Sequence, residues 1–285
     1  MRFWDLILHL RLHWQVLLLP LFGWGFLLSG GEVNARLWAV LVIFHVLFYG
    51  GATALNSYYD RDEGPIGGLW NPPRVTRDLL VFSVTVQVVG LVLIWFISRP
   101  LFVLALVMGA VGNAYSHPAI RLKSHPWTSL LAVSIFQGMG GTAAGWLCGQ
   151  ANWTTLFSTK AVLGMLAASL VITGFYPLTQ VYQREEDRRR GDITFAVRWG
   201  ERCFPLAIVC FSLAAVLMGL LVWHDFGPWE SFVVVGGLVA LAGLVYAWWR
   251  RFDGSQVREN YVRMMRVGYG MTAGFLGFIG WQLVR

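Results

Sequence analysis

Long apolar runs separated by short polar breaks fill the chain from Leu12 to Val284. Nine such runs fall at roughly 12–29, 37–57, 78–97, 101–117, 127–148, 161–182, 203–223, 230–249 and 266–284. Each approaches the ~20 residues that a helix needs to cross the hydrocarbon core of a bilayer. A closed barrel would need short alternating strands, and that alternation is missing. The pattern therefore predicts an all-α polytopic membrane protein. We expect nine transmembrane helices around a central cavity, with residues 1–285 forming one domain.

Polar positions are most informative where the second and sixth runs end. His45, Tyr49, Ala52, Asn56 and Asp60 recur every three or four residues, which puts them on one face of a helix. Tyr176, Gln180, Gln183 and Asp187 repeat the arrangement four runs later. Both stripes lead into acidic clusters, NSYYDRDEG at 56–64 and QREEDRRRGDIT at 183–194. The shared ending hints at two four-helix repeats plus a ninth helix.

Charge sets the orientation. Only 13% of residues are charged, 56% are hydrophobic, and mean hydropathy is +0.58. Eighteen of the 22 basic residues lie in the N-terminal segment or after even-numbered runs; Arg36, Arg99, Lys160 and Arg285 do not. The N-terminus and both acidic clusters are thus expected on the cytoplasmic side, as in the inner membrane of a prokaryote. Positive-inside bias and anionic lipid account for the net charge of +7 without nucleic acid. Cys148, Cys203 and Cys210 lack metal-ligand spacing and read as small core residues. No small-residue cleavage site follows the first run, so it is expected to stay as an anchor.

Carboxylates near membrane depth usually mark ion or substrate sites. Mg²⁺ typically takes one or two carboxylates plus substrate phosphates. Asp60 and Asp187 are the best candidates, with Asp62, Glu63, Glu185 and Glu186 near enough to assist. Arg121 and Lys123, in the short basic loop 115–126, could neutralise a diphosphate. His45 is expected to bond a carbonyl inside the bundle. Gln87, Asn113 and Gln137 are either interhelical glue or lining, and the glycines of 138–145 allow close helix packing.

These residues resemble the UbiA superfamily of intramembrane prenyltransferases. Its N-x-x-x-D-x-x-x-D motif is matched by Asn56 and Asp60, with Gly64 in place of the last acid. Its D-x-x-x-D-x-x-x-G motif is matched by Asp187 and Gly191, followed by Thr194, Ala196 and Val197, with Gln183 in place of the first acid. The element Y-S-x-P-x-x-R-L-K is present as Tyr115, Ser116, Pro118, Arg121, Leu122 and Lys123. The resemblance implies a Mg²⁺-dependent enzyme that moves an isoprenoid chain from a prenyl diphosphate to a small acceptor, aromatic or a quinone precursor, beside membrane lipid. It implies catalytic roles for Asn56, Asp60 and Asp187 and metal binding by Asp60, Asp187, Asp62 and Glu63. Tyr115, Ser116, Arg121, Lys123, Gln183, Tyr176 and Tyr59 would bind substrate. Two other readings compete. One is a terpene cyclase of the same fold, acting without an acceptor. The other is a transporter or non-catalytic membrane protein, which would release no diphosphate.

Overall fold

The computed structural model describes residues 2–285. Among the described residues there is no strand, only an isolated bridge between Ile66 and Leu69. Eight helical segments are long and apolar enough to cross a membrane: Phe3–Leu28, Ala35–Asp60, Arg77–Ile97, Arg99–Ser116, Pro126–Gln150, Thr159–Leu178, Phe195–Asp225 and Pro228–Trp249. A ninth helix, Val257–Val284, has 28 residues but is less apolar. Five glycines and the cations Arg258, Arg263 and Arg266 dilute it. The expected count of nine spans is therefore not confirmed. Large apolar side chains such as Phe96, Leu220 and Phe232 face outward, as a lipid-facing surface requires.

Local sequence explains the helix starts. Asn34, Ser98 and Ser158 open the second, fourth and sixth spans, and their side chains accept from the backbone amides of Leu37, Leu101 and Ala161. The first and fifth spans approach so closely that a Cβ at Gly25 would fall on the carbonyl of Thr142. One at Gly145 would fall on that of Phe22. The glycines thus serve close packing, as expected of small residues between membrane helices.

Three boundaries differ from the sequence pattern. The first span is bent at Arg11, whose φ of 48° is left-handed, and a short helix Phe3–His9 precedes the bend. The second span contains a π-helical turn, Ile43–Tyr49. Its wider turn alters the facing of residues before it relative to those after it. His45, within this turn, is buried and bonds a carbonyl inside the bundle as expected, Nδ1 donating to that of Leu41 at 3.0 Å, with the ring against Phe22 and Tyr49. A second π-helical turn, Val133–Met139, lies in the fifth span and not in the sixth. The sixth helix ends at Leu178, next to Pro177. Residues 179–183 form turns, and a separate helix, Arg184–Arg190, carries the second acidic cluster until Gly191, at φ 80°, ends it.

These elements give a topological expectation. Lys160 opens the sixth helix and Arg190 lies beyond its other end, and the 20 helical residues between them span roughly 30 Å. Reporter fusions after Lys160 and after Arg190 should therefore report opposite sides, with Arg190 cytoplasmic. A cytoplasmic signal from both positions would refute the arrangement.

Candidate active site

The bundle holds a cavity of about 330 Å³, polar at its mouth and apolar below. Asn56, Asp60, Asp62, Lys123, Gln183, Asp187, Arg190 and Asp192 line the mouth. Leu17, Phe48, Met108, Val133, Phe136, Ile172, Phe175 and Met271 line the depth. Both π-helical turns supply wall residues, Phe48 and Tyr49 from one and Val133, Phe136 and Gln137 from the other. The two acidic clusters, more than a hundred residues apart in sequence, thus meet at one opening.

Asp60 ends the second-span helix, its side chain only 6% exposed, and forms an ion pair with Lys123. The Nη1 of Arg121 is 3.9 Å from the same carboxylate. Asp187 lies in the first turn of helix Arg184–Arg190 and accepts a 3.1 Å bond from the hydroxyl of Thr194. Burial pushes the Asp187 carboxyl up to about 7, against the opposing effects of Thr194 and Lys123. A buried carboxylate held this far from its solution state is favoured by an added cation. Among the described residues no three His, Cys, Asp or Glu side chains gather as a complete metal cage. Two carboxylates that leave the remaining positions to phosphate and water suit the way Mg²⁺ is usually bound.

Asn56 is fixed at both ends. Its Nδ2 donates to the Ser116 hydroxyl at 2.9 Å, and its Oδ1 accepts from Arg11 at 3.3 Å. Tyr115 and Tyr176 share a 2.6 Å hydroxyl–hydroxyl bond in the cavity wall. The sequence had suggested that Arg121 and Lys123 act alike, but the structure separates them. Lys123 lines the cavity, whereas Arg121 makes a bidentate pair with Asp192, both bonds at 2.8 Å. Arg121 therefore anchors the basic loop to the turn after helix Arg184–Arg190. The Ser124 carbonyl reinforces that anchor by accepting from Ile193 at 3.0 Å.

Several expected residues fall outside the lining. Tyr59 packs edge-on against Tyr58 and His117. The side chain of Glu63 is exposed and does not reach the cavity. Glu185 pairs with Arg188 on the surface. Glu186 turns toward the first cluster, accepting from the amides of Glu63 and Gly64 at 3.2 and 3.4 Å. Asp62 lines the cavity but is paired with Arg190.

Two residues were not legible as site members. Arg11 is 6% exposed and donates to the Thr53 carbonyl at 3.0 Å, the Ser57 hydroxyl at 3.3 Å and the Gly67 carbonyl at 3.5 Å, besides Asn56. In the sequence it was one more flanking cation. Asp192 follows Gly191 within the second motif, and only its pairing with Arg121 gives it a role. Neither carried a signal in the sequence that set it apart, since Asp192 follows the basic run 188–190 and Arg11 lies in an N-terminal segment already expected to be basic.

A sequence model of the UbiA prenyltransferase family matches residues 17–268. A digeranylgeranylglyceryl phosphate synthase from Natronomonas pharaonis is 29% identical over 253 residues, covering 84% of each chain. A protoheme IX farnesyltransferase from Pyrobaculum arsenaticum is 26% identical over 250 residues, again with 84% of each covered. The solved structure of a UbiA homologue from Archaeoglobus fulgidus bound to GPP and Mg²⁺ is similar with a TM-score of 0.71 and 19% identity. The match covers 97% of this chain and 99% of that one.

Proposed function

Because this chain belongs to the UbiA prenyltransferase family, we propose that it moves an isoprenoid chain from a prenyl diphosphate to a small acceptor inside the membrane. The observation that carries this reading is the meeting of Asp60 and Asp187, with Lys123 paired to Asp60, at a polar mouth above an apolar cavity. The A. fulgidus homologue, bound to GPP and Mg²⁺, supports the donor class and the ion. Residues 1–285 would act as one domain, with the mouth facing the cytoplasm of a prokaryote.

Asp60 and Asp187 would hold Mg²⁺, which stabilises negative charge on a departing diphosphate. The remaining work belongs to the chain's own residues. Lys123 presents its ammonium at the mouth, where it can bond diphosphate oxygens. Arg121, held by Asp192, adds positive potential beside it without being free to clamp. Asn56 is oriented by Arg11 and Ser116 and keeps one wall of the mouth rigid. Phe48, Met108, Phe136 and Phe175 accommodate the isoprenoid and exclude water from the allylic cation. The rings of Tyr49 and Tyr176 line the same space and can stabilise that cation through their faces.

The segment Thr194, Ala196 and Val197 resembles the quinone-making branch of the family, and that resemblance implies an aromatic or quinone-precursor acceptor. The relatives are named for a glyceryl phosphate product and for protoheme, and favour other classes. A panel decides between them: purified protein, Mg²⁺ and prenyl diphosphates of graded length, with and without aromatic, glyceryl phosphate or haem acceptors. We expect diphosphate release that depends on one acceptor class. An isoprenoid product without acceptor would instead indicate a cyclase, and no release under any condition would end the enzymatic reading.

A further inference from the structure

The two places where the acidic pattern is broken face each other. Gln183 stands where the second motif carries its first acid, and its Nε2 donates to the Pro65 carbonyl at 2.9 Å. Gly64 stands where the first motif carries its last acid. A Cβ at Gly64 would come within 2.6 Å of Oε2 of Glu186. The other oxygen of that carboxylate accepts from the Glu63 and Gly64 amides. Arg190 completes the junction by pairing with both Glu186 and Asp62. Gly64 is not among the residues with left-handed φ, so its backbone would accept an ordinary side chain; the carboxylate of Glu186 is what occupies the room.

We propose that Gln183 and Glu186 are positioning residues that fasten the segment 61–65, which brings Asp62 to the rim of the cavity mouth, so that this part of the rim is held by the protein itself and needs no bound metal or diphosphate to become ordered. Chemically, two carboxylates that would repel each other across the mouth are replaced by a neutral amide and a glycine. The repulsion is gone, and the freed positions carry donor–acceptor contacts instead. Oε1 of Glu186 accepts two backbone amides and one guanidinium, and Glu186 is not among the residues that line the cavity. Asp62, bound to Arg190, is likewise occupied. The metal-binding capacity of the mouth is thereby concentrated on Asp60 and Asp187.

Backbone hydrogen exchange tests this without relying on activity. The detergent-solubilised protein is exchanged in EDTA, with no diphosphate, and the amides of Glu63 and Gly64 are followed by mass spectrometry. They should exchange at least about tenfold more slowly than in Glu186→Ala and in Gln183→Ala. Gly64→Asp should lose the same protection, because its side chain displaces only the end of Glu186 and leaves the bundle intact. Protection of helix Thr159–Leu178 serves as the folding control. The proposal is overturned if the wild-type segment exchanges freely in EDTA and becomes protected only when Mg²⁺ and inorganic diphosphate are added. It is equally overturned if all three variants retain wild-type protection. Neither outcome bears on prenyl transfer itself, which the acceptor panel decides.

Discussion

Asp187→Asn should reduce turnover by about 10²–10³-fold, the size of effect seen when one charge-stabilising group is removed from an active site, while making the ligand-free protein more stable. Burial raises the folded pKa of Asp187 to about 7, above its ordinary value of 3.8. Between those values the folded protein binds the proton that the unfolded chain has released. Stability is therefore lost as pH rises from about 4 to about 7. Asn cannot ionise, keeps the shape of the side chain, and still accepts from Thr194. At pH 7.5, without Mg²⁺, its Tm should lie above that of the wild type. Asp60→Asn should be equally inactive but less stable, because Lys123 and the nearby Arg121 lose their shared carboxylate. Turnover at the wild-type rate in either variant would remove that residue from the catalytic role. A lower Tm for Asp187→Asn would refute the account of its burial.

Arg11→Ala should cause a large loss of stability, roughly 3–5 kcal/mol, through the acceptors it leaves without a donor. The guanidinium joins the first span to the Thr53 carbonyl and to the side chains of Asn56 and Ser57, and joins both to the Gly67 carbonyl in the following loop. Removing it leaves these largely buried acceptors without their donor, at about 1–3 kcal/mol for each one left unsatisfied. Asn56 then keeps only its bond to Ser116, and the wall beside Asp60 loosens. Arg11→Lys keeps a cation but cannot reach in several directions at once. It should recover part of the Tm while leaving turnover well below wild type. A thermal melt and a turnover assay on both variants check this. An Ala variant with unchanged Tm and turnover would show that the four contacts carry little energy.

Apolar run length determined the helical membrane architecture, because the bilayer forces every backbone group to be satisfied within a helix and sets the helix length. The recurrence of polar residues at helical spacing marked Asn56, Asp60, Tyr176 and Asp187 as one group before their meeting was visible. Both facts are local, so they can be read along the chain. What the sequence could not fix was which charge pairs with which. Arg11 and Arg190 read as flanking cations, and Arg121 read as a partner for diphosphate beside Lys123. Only the folded bundle gives Arg11 to Asn56, Arg121 to Asp192 and Arg190 to Asp62. The π-helical turns Ile43–Tyr49 and Val133–Met139 are the same kind of fact: their widened turns leave no mark in the apolar pattern, yet both supply residues to the cavity wall. The missing acids at Gly64 and Gln183 looked like losses in sequence. Contacts between segments more than a hundred residues apart made them part of the junction at the mouth, and such contacts depend on distances that only tertiary packing sets.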